Sequence, residues 1–378
     1  MNEFLIKEII NADIENELKD IGFDEGYRFI ASDKFKYKNL KIYGLNSAQA
    51  NIIKQAALSV GADCATHKSV IQGKIEKSNV ILGGSISQLK KIAENLRRQP
   101  FKLYLLGNRI EEHINLKKRS VKTKLMGILN VTPDSFSDGG KYIEPVTAQK
   151  HLIELIQDGA DIIDIGAEST KPYSEAVSAD EQIERLKPIM NFILKENINI
   201  PISIDTRSSI VADFVLNNGA SIINDVSGLD YDTNMAKIIS KHNAGLIIQH
   251  SKGIPENMQD NPTYNNLIEE IFLSLKNKIE YARNIGISDI IADVGIGFGK
   301  TKKHNFEILD RIEEFYALNC PIMAGISRKS MLGAKEDNNE LKDSLTLAVS
   351  YPLIRKNIDY LRVHNVKLHK SLLNCLNF

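Results

Sequence analysis

Arg362 and His364 alternate along the short apolar run YLRVHNV (360–366), an alternation that sends both side chains to one face of a strand. Together with Lys329, Arg328 and Lys171 they make a set of donors suited to an anion. A second set consists of acceptors. Asp205, Asn224 and Asp293 each lie at the end of an apolar run, and acceptors so placed suit a heterocycle with amidine-like N–H edges. The stretch GIGFGK (295–300) holds Gly295, Gly297 and Gly299, which are expected to let the backbone approach a ligand closely. Its spacing is neither that of a dinucleotide fingerprint nor that of a phosphate loop.

The elements that must position these residues recur along the chain. Apolar runs at 125–131, 161–168, 201–206, 221–228, 245–251, 289–297, 321–327 and 360–366 are continuous and rich in Ile, Val and Leu, as strands buried on both faces are. Helical patterns lie at 146–159, 179–195, 207–217, 233–242, 264–285, 304–318, 338–356 and 367–376. Strand–helix units in this number, over about 250 residues, predict an α/β fold of the (β/α)8 TIM-barrel type, with a doubly wound open sheet as the alternative. The active site of such a barrel lies at the C-terminal ends of its strands, where the polar residues named above fall, joined by Asn130, Asp164, Glu168, Gln249 and His250. Two loops rich in Pro, Gly, Ser and Asp, 132–145 and 169–178, have the composition of lids.

A basic, polar stretch at 115–124 reads as a linker and divides a small α/β domain, 1–117, from the barrel, 118–378. The first domain shows helical segments at 47–60 and 86–98 and extended ones at 35–45, 78–84 and 101–107. Cys64 and His67 within it read as structural rather than metal-binding.

Composition narrows the function. The 378 residues are 43% hydrophobic and 25% charged, which excludes disorder over most of the length. Lys+Arg and Asp+Glu are both 48, so no global charge draws the chain to nucleic acid or to an anionic membrane. The three cysteines are far apart and fit a reducing cytosol. No signal peptide or membrane span is expected.

MGILNVTPDSFSDGG (126–140) resembles the signature of dihydropteroate synthases, and IGAEST (165–170) resembles their second signature. SIDT, IIND, GFGK, SRKS and RVH follow in the family's order, so the resemblance spans about residues 124–370. It implies a TIM barrel that condenses 6-hydroxymethyl-7,8-dihydropterin pyrophosphate with p-aminobenzoate, giving 7,8-dihydropteroate and pyrophosphate in folate biosynthesis. It implies Mg2+ escorting the pyrophosphate, and competition by sulfonamides at the p-aminobenzoate pocket. A homodimer fits the family, although no sequence feature requires one.

Carried over residue by residue, the resemblance implies that Asp205, Asn224, Asp293 and Lys329 bind the pterin. It implies that Asn130 stands beside Mg2+ and the diphosphate, that Arg362 and His364 bind the anion with Lys171 nearby, and that Asp205, Lys329, Arg362 and His364 carry the catalysis. Thr170, Pro172 and Ser330, with Phe136 and Phe298 as walls, would surround p-aminobenzoate. Two positions depart from the family pattern: Lys171 stands where Arg is usual, and Val294 stands where Pro is usual. Two other functions stay open at this point. One is a pterin-binding methyltransferase of the methyltetrahydrofolate:corrinoid type, which would need no anion clamp. The other is a non-catalytic pterin binder or partner-supporting homologue.

Overall fold

Alternating residues build the antiparallel sheet of this protein, continuous apolar runs build its parallel strands, and apolar residues three or four apart build its helices. The computed structural model describes residues 4, 6–9, 13–115, 120–132, 145–168, 177–253, 258–334 and 338–376. The chain divides into two units, Met1–Arg119 and Ser120–Phe378.

The first unit runs α1 (Ile14–Asp20), α2 (Arg28–Ser32), β1 (Tyr37–Leu45), α3 (Ser47–Leu58), β2 (Asp63–Ala65), β3 (Ser78–Ser85), α4 (Ile86–Arg97) and α5 (Leu103–Asn115). Its sheet is antiparallel, in the order β1-β3-β2. Val80, Leu82 and Cys64 share a core with Ile53 and Ala57 of α3 and with Leu89 and Ile92 of α4. Tyr37, Asn39, Lys41 and Tyr43 occupy the alternate, exposed positions of β1. Helices α3 and α4 open on capping boxes, Asn46 with Gln49 and Ser85 with Gln88, which satisfy backbone donors at each helix start. Burial pushes the Cys64 thiol up to about 11, as befits a packing group rather than a ligand.

The run 101–107, expected to be extended, instead leads into a helix. Phe101 and Lys102 turn the chain with φ of 61° and 59°. The buried positions Leu103, Gly107, Ile110 and Ile114 then recur at helical spacing. The apolar stretch alone has the length of a strand, and its helical period emerges only when Ile110 and Ile114 are counted.

The second unit runs β4 (Lys124–Asn130), α6 (Pro145–Gln157), β5 (Ile162–Gly166), α7 (Ala179–Lys195), β6 (Ile202–Asp205), α8 (Ser209–Leu216), β7 (Ile222–Asp225) and α9 (Met235–Lys241). It continues through β8 (Gly245–Gln249), α10 (Leu267–Asn284), β9 (Ile290–Asp293), α11 (Lys302–Asp310), β10 (Ile322–Ala324), α12 (Asn339–Arg355), β11 (Tyr360–Val363) and α13 (Val366–Leu376). Strands β4 to β11 are parallel and close into an eight-stranded barrel, with β11 pairing to both β10 and β4. The helix expected at 304–318 is two elements, α11 and a 3-10 segment, Ile312–Leu318. The buried Ile312, Phe315 and Leu318 of that segment repeat every third residue, the period of the tighter helix. Among the described residues, no helix is long and apolar enough to cross a membrane.

The pleat explains where chemistry can sit. Met126, Ile162, Ile222, Ile247, Ile291 and Met323 form one apolar cluster, with Tyr360 packed on it. Their strand neighbours Leu125, Ile163, Ile223, Leu246, Ile290 and Ile322 belong to the separate core shared with the helices, so the first cluster faces the barrel axis. One two-residue step further along that inner face come Asp164, Asn224, Gln249, Asp293 and Arg362, and Asp205 stands one such step beyond Ser203. An apolar plug thus carries a polar layer directly above it.

Candidate active site

Asp205 and Asn224 stand opposite each other in the β6–β7 ladder, and both are buried. Arg362 reaches across from β11, with Nη2 donating to Asp205 Oδ2 at 2.9 Å and Nε donating to Asp164 Oδ2 at 2.6 Å. Asn224 Nδ2 donates to the same Asp164 oxygen at 3.1 Å, and Ser203 Oγ donates to Asp164 Oδ1 at 2.7 Å. What remains is a pair of buried oxygens, Asp205 Oδ1 and Asn224 Oδ1, with no hydrogen-bond partner among the described residues. A buried acceptor left unfilled costs free energy, so the pair fits a ligand that brings two donors.

The electrostatics follow from burial and charge. Burial raises the Asp205 carboxyl to about 7; the Arg362 guanidinium opposes this, and the neighbouring Asp164, Glu168 and Asp225 add to it. Burial works against the Arg362 charge, but the carboxylates of Asp164 and Asp205 outweigh it and hold the proton more tightly than usual. Burial also raises Asp293, although the Gly295 N–H donates to it at 2.7 Å and Lys329 stabilises its anion.

Lys329 faces this layer from the loop after β10. Its Nζ donates to the Ile296 carbonyl and lies 4.4 Å from the centre of the half-buried Phe298 ring. Burial lowers the amine to about 8, with Asp293 and Asp205 opposing the shift and Arg362 adding to it. These mutual influences bring Lys329, Asp293, Asp205 and Arg362 to one pocket. Ser330, the next residue, is exposed and opens a short 3-10 turn, Ser330–Leu332.

His364 is a different kind of donor from the one its sequence position suggests. Burial, with Arg328 and Arg362 nearby, pulls its imidazole down to about 3, so it is neutral at physiological pH. Ser327 Oγ accepts from the His364 backbone N–H at 3.1 Å and lies 2.8 Å from Nδ1. A hydroxyl can donate to Nδ1 or accept from it, so the contact orients the neutral ring and is compatible with a proton on either nitrogen.

Arg328 is held along one edge of its guanidinium. Nε and Nη2 donate to the two carboxylate oxygens of Asp343 on α12, at 2.7 and 2.8 Å, while its backbone is held at a φ of 56°. The neighbouring charge is thereby spent on fixing the turn that aims Lys329. Two glycines of the glycine-rich stretch make close approaches within the protein itself. A Cβ on Gly295 would collide with the His250 carbonyl, and one on Gly299 with the Lys252 carbonyl. Behind it lies the wholly buried Lys300, whose Nζ donates to the carbonyls of Gly295 at 2.8 Å, Phe298 at 3.0 Å and His250 at 3.2 Å. Lys300 therefore ties the loop after β9 to the end of β8. The sequence reading assigned it no role.

Asn130 ends β4 half-buried, and its Oδ1 occupies space that a Cβ on Gly166 would crowd at 3.2 Å. Among the described residues no three His, Cys, Asp or Glu side chains gather to hold a metal. The hard amide oxygen of Asn130 suits Mg2+, an ion that keeps several waters and takes phosphate oxygens alongside few protein ligands. Phe136, Thr170, Lys171 and Pro172 lie outside the described residues. The stem of the 169–176 loop is nevertheless fastened. Glu168 Oε1 accepts from the Val177 N–H at 3.2 Å and from Arg207 Nη2 at 3.1 Å.

Asp164 stands among the polar strand ends named from the sequence, but no role was assigned to it there. A lone acid inside DIIDIG, in a strand buried on both faces, must find a buried cation or donors. That requirement was the available signal.

Comparison with known proteins adds to this geometry. A family model described as "Pterin binding enzyme" matches residues 126–364. A dihydropteroate synthase of Clostridium beijerinckii is 45% identical over 249 residues, covering 65% of this chain and 90% of the relative. A bifunctional dihydropteroate synthase/dihydropteroate reductase of Helicobacter pylori is 31% identical over 378 residues, covering 98% of this chain and 97% of the relative. Among solved structures, a Clostridium difficile dihydropteroate synthase crystallised in the presence of pteroic acid superposes with a TM-score of 0.62 at 38% identity. It covers 68% of this chain and 97% of the other.

Proposed function

The chain belongs to the pterin-binding enzyme family, among the dihydropteroate synthases, and on that premise we propose how its own residues carry the reaction. The substrates are 6-hydroxymethyl-7,8-dihydropterin diphosphate and p-aminobenzoate. The observation that carries the reading is the pair of unfilled buried oxygens, Asp205 Oδ1 and Asn224 Oδ1, on the floor of the pocket. A dihydropterin offers N–H donors along one edge, and these would complete both.

The bond that breaks joins the pterin methylene to the diphosphate oxygen. The electron pair leaves with pyrophosphate, and positive charge spreads into the pterin ring. The amine of p-aminobenzoate forms the new C–N bond, and its proton passes to the released diphosphate or to water. Asp205, ionised above about pH 7, stabilises the cation in a pocket where solvent screens little. Lys329, which keeps its proton up to about pH 8, donates to the pterin, and Asp293 accepts from it. Arg362 has Nε and Nη2 committed to Asp164 and Asp205, which leaves Nη1 for the diphosphate, with the neutral His364 imidazole on the same strand two residues on. Asn130 would hold Mg2+, and the ion when bound neutralises charge on the leaving group.

Phe298 and Ser330, with Phe136, Thr170 and Pro172, would form the p-aminobenzoate pocket where sulfonamides compete. Lys171 would supply a point charge rather than a planar fork toward the diphosphate. The dispersed cysteines support a cytosolic enzyme, and a homodimer is its expected assembly, to be read by light scattering. An initial-rate assay tests the reaction: pyrophosphate release should require both substrates and Mg2+. No release above background would overturn the reading.

A second activity is favoured by one observation. The match to the Helicobacter pylori protein runs through the N-terminal unit as well as the barrel. Dihydropteroate reduction by this chain would take a hydride from a reduced nicotinamide or flavin and a proton from solvent. Formation of tetrahydropteroate from dihydropteroate and such a donor is the test.

A further inference from the structure

We propose that Asp164 is a positioning residue that leaves the acceptor ends of Asp205 and Asn224 open to the pterin. The inference rests on the pterin reading of the pocket and concerns a residue that touches no substrate. Asp164 is wholly buried on β5, level with Ser203 in the β5–β6 ladder. Its carboxylate is filled from three directions: Ser203 Oγ on Oδ1 at 2.7 Å, and Arg362 Nε at 2.6 Å and Asn224 Nδ2 at 3.1 Å on Oδ2.

An asparagine amide carries both a donor and an acceptor end, and either could face the pocket. A carboxylate oxygen accepts and cannot donate. Asp164 therefore obliges Asn224 to turn its NH2 inward, and Asn224 Oδ1 becomes the end left open. The same oxygen fixes the plane of the Arg362 guanidinium. Held through Nε, that plane brings Nη2 to Asp205 Oδ2 at 2.9 Å and leaves Asp205 Oδ1 as the second open acceptor. One carboxylate thus sets the polarity of two recognition groups on different strands. A ligand edge made of donors is accepted, and one presenting acceptors at the same places meets lone pairs.

Two substitutions separate this role from simple support of the fold. Asp164→Ala removes the acceptor, frees the Asn224 amide to turn and releases the Arg362 plane. Asp164→Asn keeps an acceptor: Arg362 Nε holds the new amide's oxygen in place of Oδ2, and its NH2 meets Ser203 Oγ. Steady-state kinetics of the full chain should show the KM for the pterin diphosphate rising at least about 10-fold in Asp164→Ala, with the KM for p-aminobenzoate within about threefold, the size expected for lost buried hydrogen bonds. Asp164→Asn should stay within about fivefold of the unaltered chain, a rescue by retained hydrogen-bond polarity without the charge.

Equal loss in the two variants would overturn the proposal, because charge or folding would then be the cause. Equal weakening of both substrates would overturn it as well. Where Asp164→Ala does not fold, Asp164→Asn alone decides, since a loss as large as that of Asp205→Ala contradicts the proposed role. An unaltered chain that binds no pterin defeats the reading of the pocket itself, and that result is seen before either variant is compared.

Discussion

The two units of this protein use similar materials to different ends. Each sets apolar strands under amphipathic helices, and each buries some polar side chains. In the N-terminal unit the buried polar groups are serines that find partners close by. Ser32 Oγ donates to the Phe29 carbonyl at 2.9 Å, Ser78 Oγ to the Asn79 carbonyl at 3.0 Å, and Ser85 caps α4. An open antiparallel sheet leaves its second face to solvent, so nothing forces its polar residues together. Closing eight parallel strands leaves no second face, and the inner positions above the apolar plug converge on one axis. There the buried groups are charged and mutually paired, with two oxygens still open. Among the described residues, the N-terminal unit has one orphaned buried atom, Arg28 Nε, on a side chain that pairs with the exposed Glu25 at 3.2 Å. The difference teaches that burial alone does not make a site. Convergence of buried polar groups whose hydrogen-bonding capacity is not exhausted does.

Substitutions can sharpen or break that contrast. The largest effect is expected for Arg362→Ala, which leaves Asp164 and Asp205 facing each other without their cation. Breaking a buried pair in this way costs about 3–5 kcal/mol, so thermal unfolding should show a marked loss of stability together with near-complete loss of turnover. Lys329→Ala removes a single donor beside the pterin. It should lower kcat/KM by about 100- to 1000-fold with a smaller change in melting temperature.

The pH profile comes next in size. Protonation of Asp205 below about 7 removes the anion, and loss of the Lys329 proton above about 8 removes the cation. Log kcat/KM for the pterin diphosphate should therefore fall on both sides of a narrow optimum, and a flat profile from pH 6 to pH 9 (about one unit beyond each limb) would break the assignment. The smallest effect on turnover belongs to the N-terminal unit. Leu82→Ala should cost that unit about 2–5 kcal/mol of stability by opening a cavity, while dihydropteroate synthesis below its melting temperature stays within about twofold. A large loss of synthesis in that variant would erase the contrast between the units.

Much of the barrel was legible because its strands are short apolar runs whose polar ends all fall at the same side. Asp205, Asn224, Asp293, Lys329 and Arg362 could be named for that reason. The pairing that organises them was not legible, because Asp164 and Arg362 lie 198 residues apart and meet only when the last strand closes on the first. The fate of Arg328 was hidden for a similar reason. Asp343 looks like an ordinary helix acid in sequence, yet it sits on the buried face of α12 and holds the guanidinium. The expected strand at 101–107 failed on period rather than composition, since a short apolar stretch fits either element until its neighbours are counted. The glycines of 295–299 were legible as close approaches; the protein's own backbone approaches Gly295 and Gly299, and the Lys329 side chain approaches Gly297.

The central claim is that the two open oxygens of the barrel floor recognise a pterin. Calorimetric titration of the full chain with 6-hydroxymethyl-7,8-dihydropterin, lacking the diphosphate, tests it most directly when repeated on Asn224→Ala. The unaltered chain should bind, and the variant should bind about 30-fold more weakly, the loss of about 2 kcal/mol that goes with a buried hydrogen bond and its supporting contact. Equal affinity in the two proteins would contradict the claim.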